Sequence, residues 1–435
     1  MSTDVVVCGA GVGGLATAHA LSALGLRVLV IEKQPSVRAV AKGEVFQPSA
    51  LAALRTWGVE QRLLELGALG LHRIVVRDQC SEPMLSLDYR GLPGPDQDLL
   101  AHDYPTILTA MTDCLDFNVE LRRGVLADEL LRDETGRVVG VRVKEHGQVS
   151  DIHARLVVAA DGVSSRLRRA ASIEVRRLDY PHRLLCLELP ASGEQPPDFS
   201  AYVTDRGMRL CYPLPGDRIR LYLQVAPDEL RGLDEPALAA WCHTALHQVP
   251  ALRQLIDRAV ASLRHKQVLP VSRHIASRLT VPGLVLVGEA AHSVHPMAAQ
   301  GMRTSVGDAV HLAAELARSG DLSLTEVDDT LLRYTERRTP ELIHIGRMSH
   351  NATRMTTGTM WLGRWFGRRA ARRTSANPQL LRAVTSNMSG IGARPLTTFD
   401  RLHQFGLVPH LGARGRTAQS NHQAHFSEQR KPNEI

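Results

Sequence analysis

Asp4-Val5-Val6-Val7-Cys8 runs directly into Gly9-Ala10-Gly11-Val12-Gly13-Gly14, and Glu32 closes the next apolar run, Arg27 to Ile31. A strand, a glycine-rich turn, a helix and a second strand ending in an acid form the pattern that holds a dinucleotide. Gly9 allows the tight turn off the strand, and Gly11 lets the backbone approach a pyrophosphate. Gly14 lets the helix from Leu15 to Leu24 pack closely on the sheet. That helix directs its free N–H groups and positive dipole end at the phosphates. Glu32 stands where a carboxylate accepts both ribose hydroxyls and repels a 2′-phosphate, which selects FAD or NAD over NADP at this first site.

Two further segments set glycines and acids at apolar strand ends. Arg155-Leu156-Val157-Val158-Ala159-Ala160 reads as a buried parallel strand closed by Asp161-Gly162. Gly283 to Val287 reads as another, followed by Gly288-Glu289-Ala290-Ala291-His292, His295-Pro296 and Gln300-Gly301-Met302. FAD is long, and one sheet that offers an adenosine site at its first turn and a flavin site at a second strand end suits it. A helix starting at Gly301 would set partial positive charge against flavin N1 and O2, where the reduced ring accumulates negative charge.

In order and spacing the three segments resemble those of the group A, single-component FAD-dependent monooxygenases, the family with the para-hydroxybenzoate hydroxylase fold, and the likeness spans residues 1 to about 350. The resemblance implies noncovalent FAD held by Gly9, Gly11, Gly13, Gly14, Glu32, Lys42, Asp161, Gly162, Gly288, Glu289, Pro296, Gly301 and Met302. Within that set Asp161 and Gly162 are shared with the reducing nicotinamide, Glu289 meets the ribityl chain, and Pro296 lies beside the isoalloxazine. NADPH or NADH is then a transient co-substrate, since Gly390-Ile391-Gly392 neither follows a strand nor opens a helix. The resemblance further implies that one atom of molecular oxygen passes to the substrate from a flavin C4a-hydroperoxide, with the protein supplying a dry, orienting pocket. Lys42-Gly43-Glu44-Val45-Phe46-Gln47-Pro48 resembles a segment of the squalene-epoxidase branch, which points to hydroxylation or epoxidation of a hydrophobic aromatic, polyketide or isoprenoid molecule. No catalytic side chain is assigned. Three positions depart from the family: Glu289 replaces an Asp, Arg303 replaces a small polar residue, and the helix from Tyr104 to Leu115 has no basic residue. Two alternatives stand beside the monooxygenase: an FAD-dependent reductase, dehydrogenase or redox-neutral cyclase, which keeps the flavin without oxygen transfer, and a noncatalytic FAD-binding protein, motivated by Glu289 and Arg303.

These sites require an α/β chain with a Rossmann-like FAD-binding domain, an inserted antiparallel-sheet substrate domain and C-terminal helices. The first part covers residues 1–175, with a helix from Ser49 to Trp57 and a hairpin from Arg137 to Lys144 that turns near Gly147. Leu184 to Leu189, Ala201 to Asp205, Met208 to Leu214 and Arg218 to Val225 alternate like strands, placing the substrate sheet at 176–275. The FAD-binding part resumes at 276–358 with helices from Gly301 to Arg318 and from Leu324 to Gly358. A helical region follows at 359–410, and 411–435 reads as a disordered tail. On the substrate sheet Leu210, Tyr212 and Leu214 share one face and Arg209, Cys211 and Pro213 the other; the Tyr212 face is preferred as the pocket wall.

The hydrophobic share of 44% and charged share of 22% belong to an ordinary globular protein, with no apolar run long enough to span a bilayer. A net charge of +7 is too dispersed to argue for nucleic acid. Six cysteines without a CxxC pair, and a strand beginning three residues from the start, suggest a cytoplasmic protein. A monomer or homodimer is expected, though these residues do not encode the oligomeric state. His292 and His295 lack a third ligand, so no metal is expected, and Cys8 is a core residue. Arg38 and Lys42 are candidates to neutralise the pyrophosphate. If helical, Trp361 to Arg373 sets Trp361, Leu362, Trp365 and Phe366 beside Arg364, Arg368 and Arg372, the pattern of a helix that docks peripherally on anionic lipid or packs over the protein's own core.

Overall fold

The computed structural model describes residues 3–38, 40–191, 197–320 and 322–408. Val5–Cys8, apolar throughout and fully buried, pairs in parallel with Val28–Glu32 on one side and Leu156–Ala159 on the other. Val119–Arg123 and Leu284–Leu286 extend the sheet in parallel, and Thr280–Val281 closes one edge antiparallel. Such strands need cover on both faces. Helices Val12–Ser22 and Gly301–Ser319 supply it together with the antiparallel sheet of Val125–Arg132, Val138–Glu145 and Gln148–His153. The expected hairpin near Gly147 is the last pair of that sheet. Register sets Cys8 opposite Ala159 and Ala159 opposite Leu286, so Gly9, Asp161 and Gly288 leave the sheet at neighbouring carboxyl ends. Ligands bind at that edge of a parallel sheet.

The second sheet has eight strands in the order His292–Ser293, Gln267–Ala276, Val175–Pro190, Arg218–Val225, Gly207–Leu214, Asp198–Thr204, Arg73–Asp78 and Pro83–Asp88. It therefore reaches outside 176–275 and recruits two strands from the first part of the chain. All its pairs are antiparallel except Asp198–Thr204 with Arg73–Asp78. Alternation sends Leu185, Leu187, Leu221 and Leu223 under helix Glu235–His247, where they meet Leu238, Cys242 and Leu246. Leu184, Phe199, Leu210, Tyr212 and Tyr222 point the other way, toward the first unit. Beyond it, Leu324–Thr357 is one 34-residue helix that continues through Pro340, followed by Trp361–Ser375, Pro378–Ser389 and Thr398–Phe405. The expected tail at 411–435 lies outside the described residues.

Candidate active site

A cavity of about 490 Å3 runs from the glycine turn at Gly9, past Asp161 and Glu289, to the Tyr212 face of the second sheet. Every glycine, acid and lysine named from the sequence lies on its wall except Gly14. Gly14 is instead pressed against the turn, where a Cβ would sit 1.8 Å from the Gly9 carbonyl oxygen. Gly9 itself holds φ +117, and a Cβ there would meet the Ala160 carbonyl oxygen at 2.3 Å. Gly11 is different, because the nearest protein atom to its Cβ is the Tyr104 hydroxyl at 3.4 Å. What Gly11 keeps open is the groove.

The donor and acceptor set fits FAD. Glu32 accepts the Ala10 N–H at 2.9 Å with one oxygen and the Gln34 N–H at 2.8 Å with the other, which aims the carboxylate and leaves lone pairs for ribose hydroxyls. Asp161 Oδ2 accepts the N–H groups of Arg166 and Leu167 at 2.7 and 3.2 Å. Its Oδ1 is buried without a partner among the described residues, an acceptor waiting on the cavity wall. At the far end the start of Gly301–Ser319 faces the cavity through Gly301, Met302 and Ser305, with Pro296 beside it. Lys42 and Glu289 meet across the groove, Nζ to Oε2 at 2.5 Å. The sequence assigned Lys42 to phosphate and Glu289 to ribityl; here the two charges face each other. Arg38 is exposed and stands off the wall.

Arg303 does not lie near the flavin edge of the cavity. It is buried behind the helix start, where Nη1 donates to Gln300 Oε1 at 2.5 Å, and Gln300 in turn donates to the Met388 carbonyl at 2.9 Å. Burial pulls its pKa down to about 10, and it remains a cation that clamps the C-terminal helices to the start of Gly301–Ser319. Sequence reading also missed Tyr104, half-buried on the cavity wall with its hydroxyl 3.4 Å from where a Cβ on Gly11 would stand.

Behind the Gly288 turn lies an ionic cluster whose centre, Asp308, Arg338 and His292, is buried. Asp308 Oδ2 accepts the Gly288 N–H at 2.8 Å and His292 Nε2 at 2.7 Å, and its Oδ1 accepts Arg338 Nε at 2.8 Å. Arg338 continues to the Thr304 carbonyl at 2.7 Å and to Glu341 at 2.6 Å. Burial alone would raise the Asp308 pKa, yet His292, Arg338 and the Gly288 N–H hold it below the ordinary carboxylate value. This cluster fixes the turn on which Glu289 sits.

The two histidines at i, i+3 part company: His292 goes to Asp308, and His295 goes to His182, with 2.9 Å between their Nε2 atoms. His295 Nδ1 accepts the Met297 N–H, so its Nε2 carries the proton and donates to His182. Burial pulls His295 down to about 3 and His182 below 6.5. A folded state that refuses protons the unfolded chain takes up is at full strength above pH 6.5 and loses stability as pH falls toward 3. Urea midpoints measured through that window should fall with pH, and His295→Asn, which keeps an acceptor for Met297, should flatten the fall. An unchanged slope in the variant would assign the acid sensitivity elsewhere.

The chain belongs to the family described as FAD binding domain, whose model matches residues 2–345. Membership makes FAD the cofactor, and together with the relatives that follow it puts the chain among the FAD-dependent monooxygenases. Among curated proteins it is 27% identical over 363 residues to 6-methylpretetramide 4-monooxygenase of Streptomyces rimosus, covering 82% of this chain and 85% of that one. It is 26% identical to squalene epoxidase 5 of Arabidopsis thaliana, covering 71% of this chain and 60% of the relative. In fold it is similar to Pseudomonas aeruginosa PqsL in complex with 2-aminobenzoylacetate, with TM-score 0.73, 24% identity and coverage of 82% and 97%. The p-nitrophenol 4-monooxygenase PnpA of Pseudomonas putida gives TM-score 0.74 at 19% identity, with coverage of 91% and 100%.

Proposed function

We propose that the protein uses NADH or NADPH and molecular oxygen to insert one oxygen atom into a hydrophobic small molecule that carries a hydrogen-bond donor. Substrate, O2, NAD(P)H and a proton become oxygenated substrate, NAD(P)+ and water. FAD, once reduced, supplies the oxygen activation, and the chain's own residues bind, orient and exclude water. The observation that carries the substrate class is the pocket end lined by Leu184, Phe199, Leu210, Tyr212, Tyr222 and Met297. Its side chains are apolar apart from the hydroxyls of Tyr212 and Tyr222, with the Glu44 carboxylate beside them.

Glu44, from the loop that pointed to a lipophilic substrate, is buried and held by Arg220 through Nε at 2.9 Å and Nη2 at 2.5 Å. A carboxylate gripped on both oxygens accepts only, so the 2.7 Å contact from Tyr212 commits the tyrosine's proton to Glu44. Burial, and then the Glu44 charge, raise the Tyr212 pKa far above 10, so it stays a phenol. Lone pairs are what its oxygen can offer the cavity. A hydroxyl or N–H on an otherwise apolar substrate matches them.

The test supplies holoenzyme with NAD(P)H, labelled O2 and lipophilic candidates with and without such a donor. Substrate-stimulated NAD(P)H oxidation with one labelled oxygen in the product is expected. Peroxide alone with every candidate would overturn the reading. Tyr212→Phe should raise KM about tenfold for donor-bearing substrates, the worth of one buried hydrogen bond, and leave flavin reduction unchanged. Peripheral membrane contact is part of the same proposal, and what supports it is the exposure of Trp361, Leu362, Trp365 and Phe366 on one arginine-rich helix; among the described residues no helix is long and apolar enough to cross a membrane.

A further inference from the structure

Helix Trp361–Ser375 turns small residues inward: Gly367, Ala370, Ala371 and Thr374 are its buried positions. A Cβ on Gly367 would lie 2.2 Å from the Met355 carbonyl oxygen, so close packing on the preceding helix explains a glycine that propensity disfavours. The bulky residues therefore face out. Trp361 is 67% exposed, Trp365 50% and the preceding Met360 74%, with Leu362 and Phe366 exposed beside them. Phe405 meets Phe366 edge to face at 6.0 Å, and it extends the patch with Phe399 and Leu407, all three exposed.

The charge on this helix is arranged along its axis. The first two turns carry the aromatics with Arg364 among them, and Arg368, Arg369, Arg372 and Arg373 crowd the last two. Arg369 lies over the Trp365 ring at 5.3 Å. Among the described residues the one carboxylate paired with these five arginines is Asp78, 3.5 Å from Arg372. Arg369 and Arg373 spend hydrogen bonds on the carbonyls of Phe405 and His403, which fixes them without neutralising them. A shallow surface joining exposed tryptophan and phenylalanine to unneutralised arginine matches the headgroup layer of an anionic bilayer: indoles settle at the interface and guanidinium groups meet lipid phosphate.

We infer that Trp361–Ser375, with the flanking Phe399 and Phe405, is the face that docks this enzyme on an anionic membrane surface. The inference rests on the peripheral location proposed above and names its residues. It gives a lipophilic substrate a phase from which to enter.

FAD-loaded full-length protein is mixed with vesicles of phosphatidylcholine alone or with phosphatidylserine added, and binding is read by co-flotation and by the blue shift of tryptophan emission. Binding to the serine-containing vesicles is expected, weakened by raising salt above about 0.1 M, where the Debye length falls below about 10 Å. Trp361→Ser/Trp365→Ser, which alters exposed side chains, should lower partitioning at least about tenfold with bound FAD retained. Arg368→Gln/Arg372→Gln gives an independent readout, losing the preference for anionic lipid. Failure of the wild-type protein to bind either vesicle overturns the peripheral location. Wild-type binding that both variants keep overturns this face while leaving the location standing. Self-association without vesicles, abolished by the tryptophan variant, would assign the face to a second copy of the chain and overturn the inference.

Discussion

Replacing Gly14 by alanine should empty the protein of FAD and destabilise the apoprotein, whereas replacing Gly11 by valine should remove FAD and leave the apoprotein as stable as before. The difference follows from what each Cβ would meet. At Gly14 it is the Gly9 carbonyl oxygen at 1.8 Å and the Ala160 Cβ at 3.3 Å, so helix Val12–Ser22 must lift from the sheet and carry its N-terminal N–H groups away from the phosphates. Overpacking of this kind costs about 3 kcal/mol or more, because the obstacle is backbone and cannot rotate aside. At Gly11 the neighbour is a tyrosine hydroxyl at an ordinary 3.4 Å, and the isopropyl group would occupy the groove. Urea denaturation of the two apoproteins and FAD titration of each separate the cases. Stoichiometric FAD in Gly11→Val would show that the cofactor does not cross this turn, and an unperturbed Gly14→Ala apoprotein would refute the packing argument.

That contrast marks what the sequence could disclose. Local demands were legible: Gly9, Gly14 and the carboxylate that caps the turn after Leu156–Ala159 each answer a need that arises within a few residues. The Tyr212 face could be preferred because strand alternation offers two choices and one of them is apolar. Long-range partners were not legible. Glu44 reaches Arg220 across 176 residues and His182 reaches His295 across 113, and neither member of either pair announces the other. The setting of Arg303 was hidden for the same reason, since its partner Gln300 is local but the space behind it, beside Gly390, is made by a distant helix. One hidden residue did leave a trace. Leu331, Tyr334, Leu342 and Ile345 line the buried face of Leu324–Thr357, and Arg338 stands on the same spacing. An arginine at a core position demands a buried acid.

Asp308 is that acid, and Asp308→Ala should cost about 3 to 5 kcal/mol, since it strands the fully buried Arg338 guanidinium as well as the His292 ring and the Gly288 N–H. FAD should be lost too, because the Gly288 turn carries Glu289 and borders the flavin end of the groove. Stability and binding can be pulled apart with a second change. Arg338→Met removes the stranded charge and fills part of its volume, so the double variant should recover much of the stability of the single one. It should not recover FAD, for the Gly288 N–H and His292 still lack their acceptor. Denaturant unfolding of wild type, both single variants and the double variant, with FAD titrated into each, closes the cycle. If the double variant regains FAD along with stability, the cluster is scaffolding alone; if it regains stability without FAD, Asp308 holds the Gly288 turn in the position the cofactor requires.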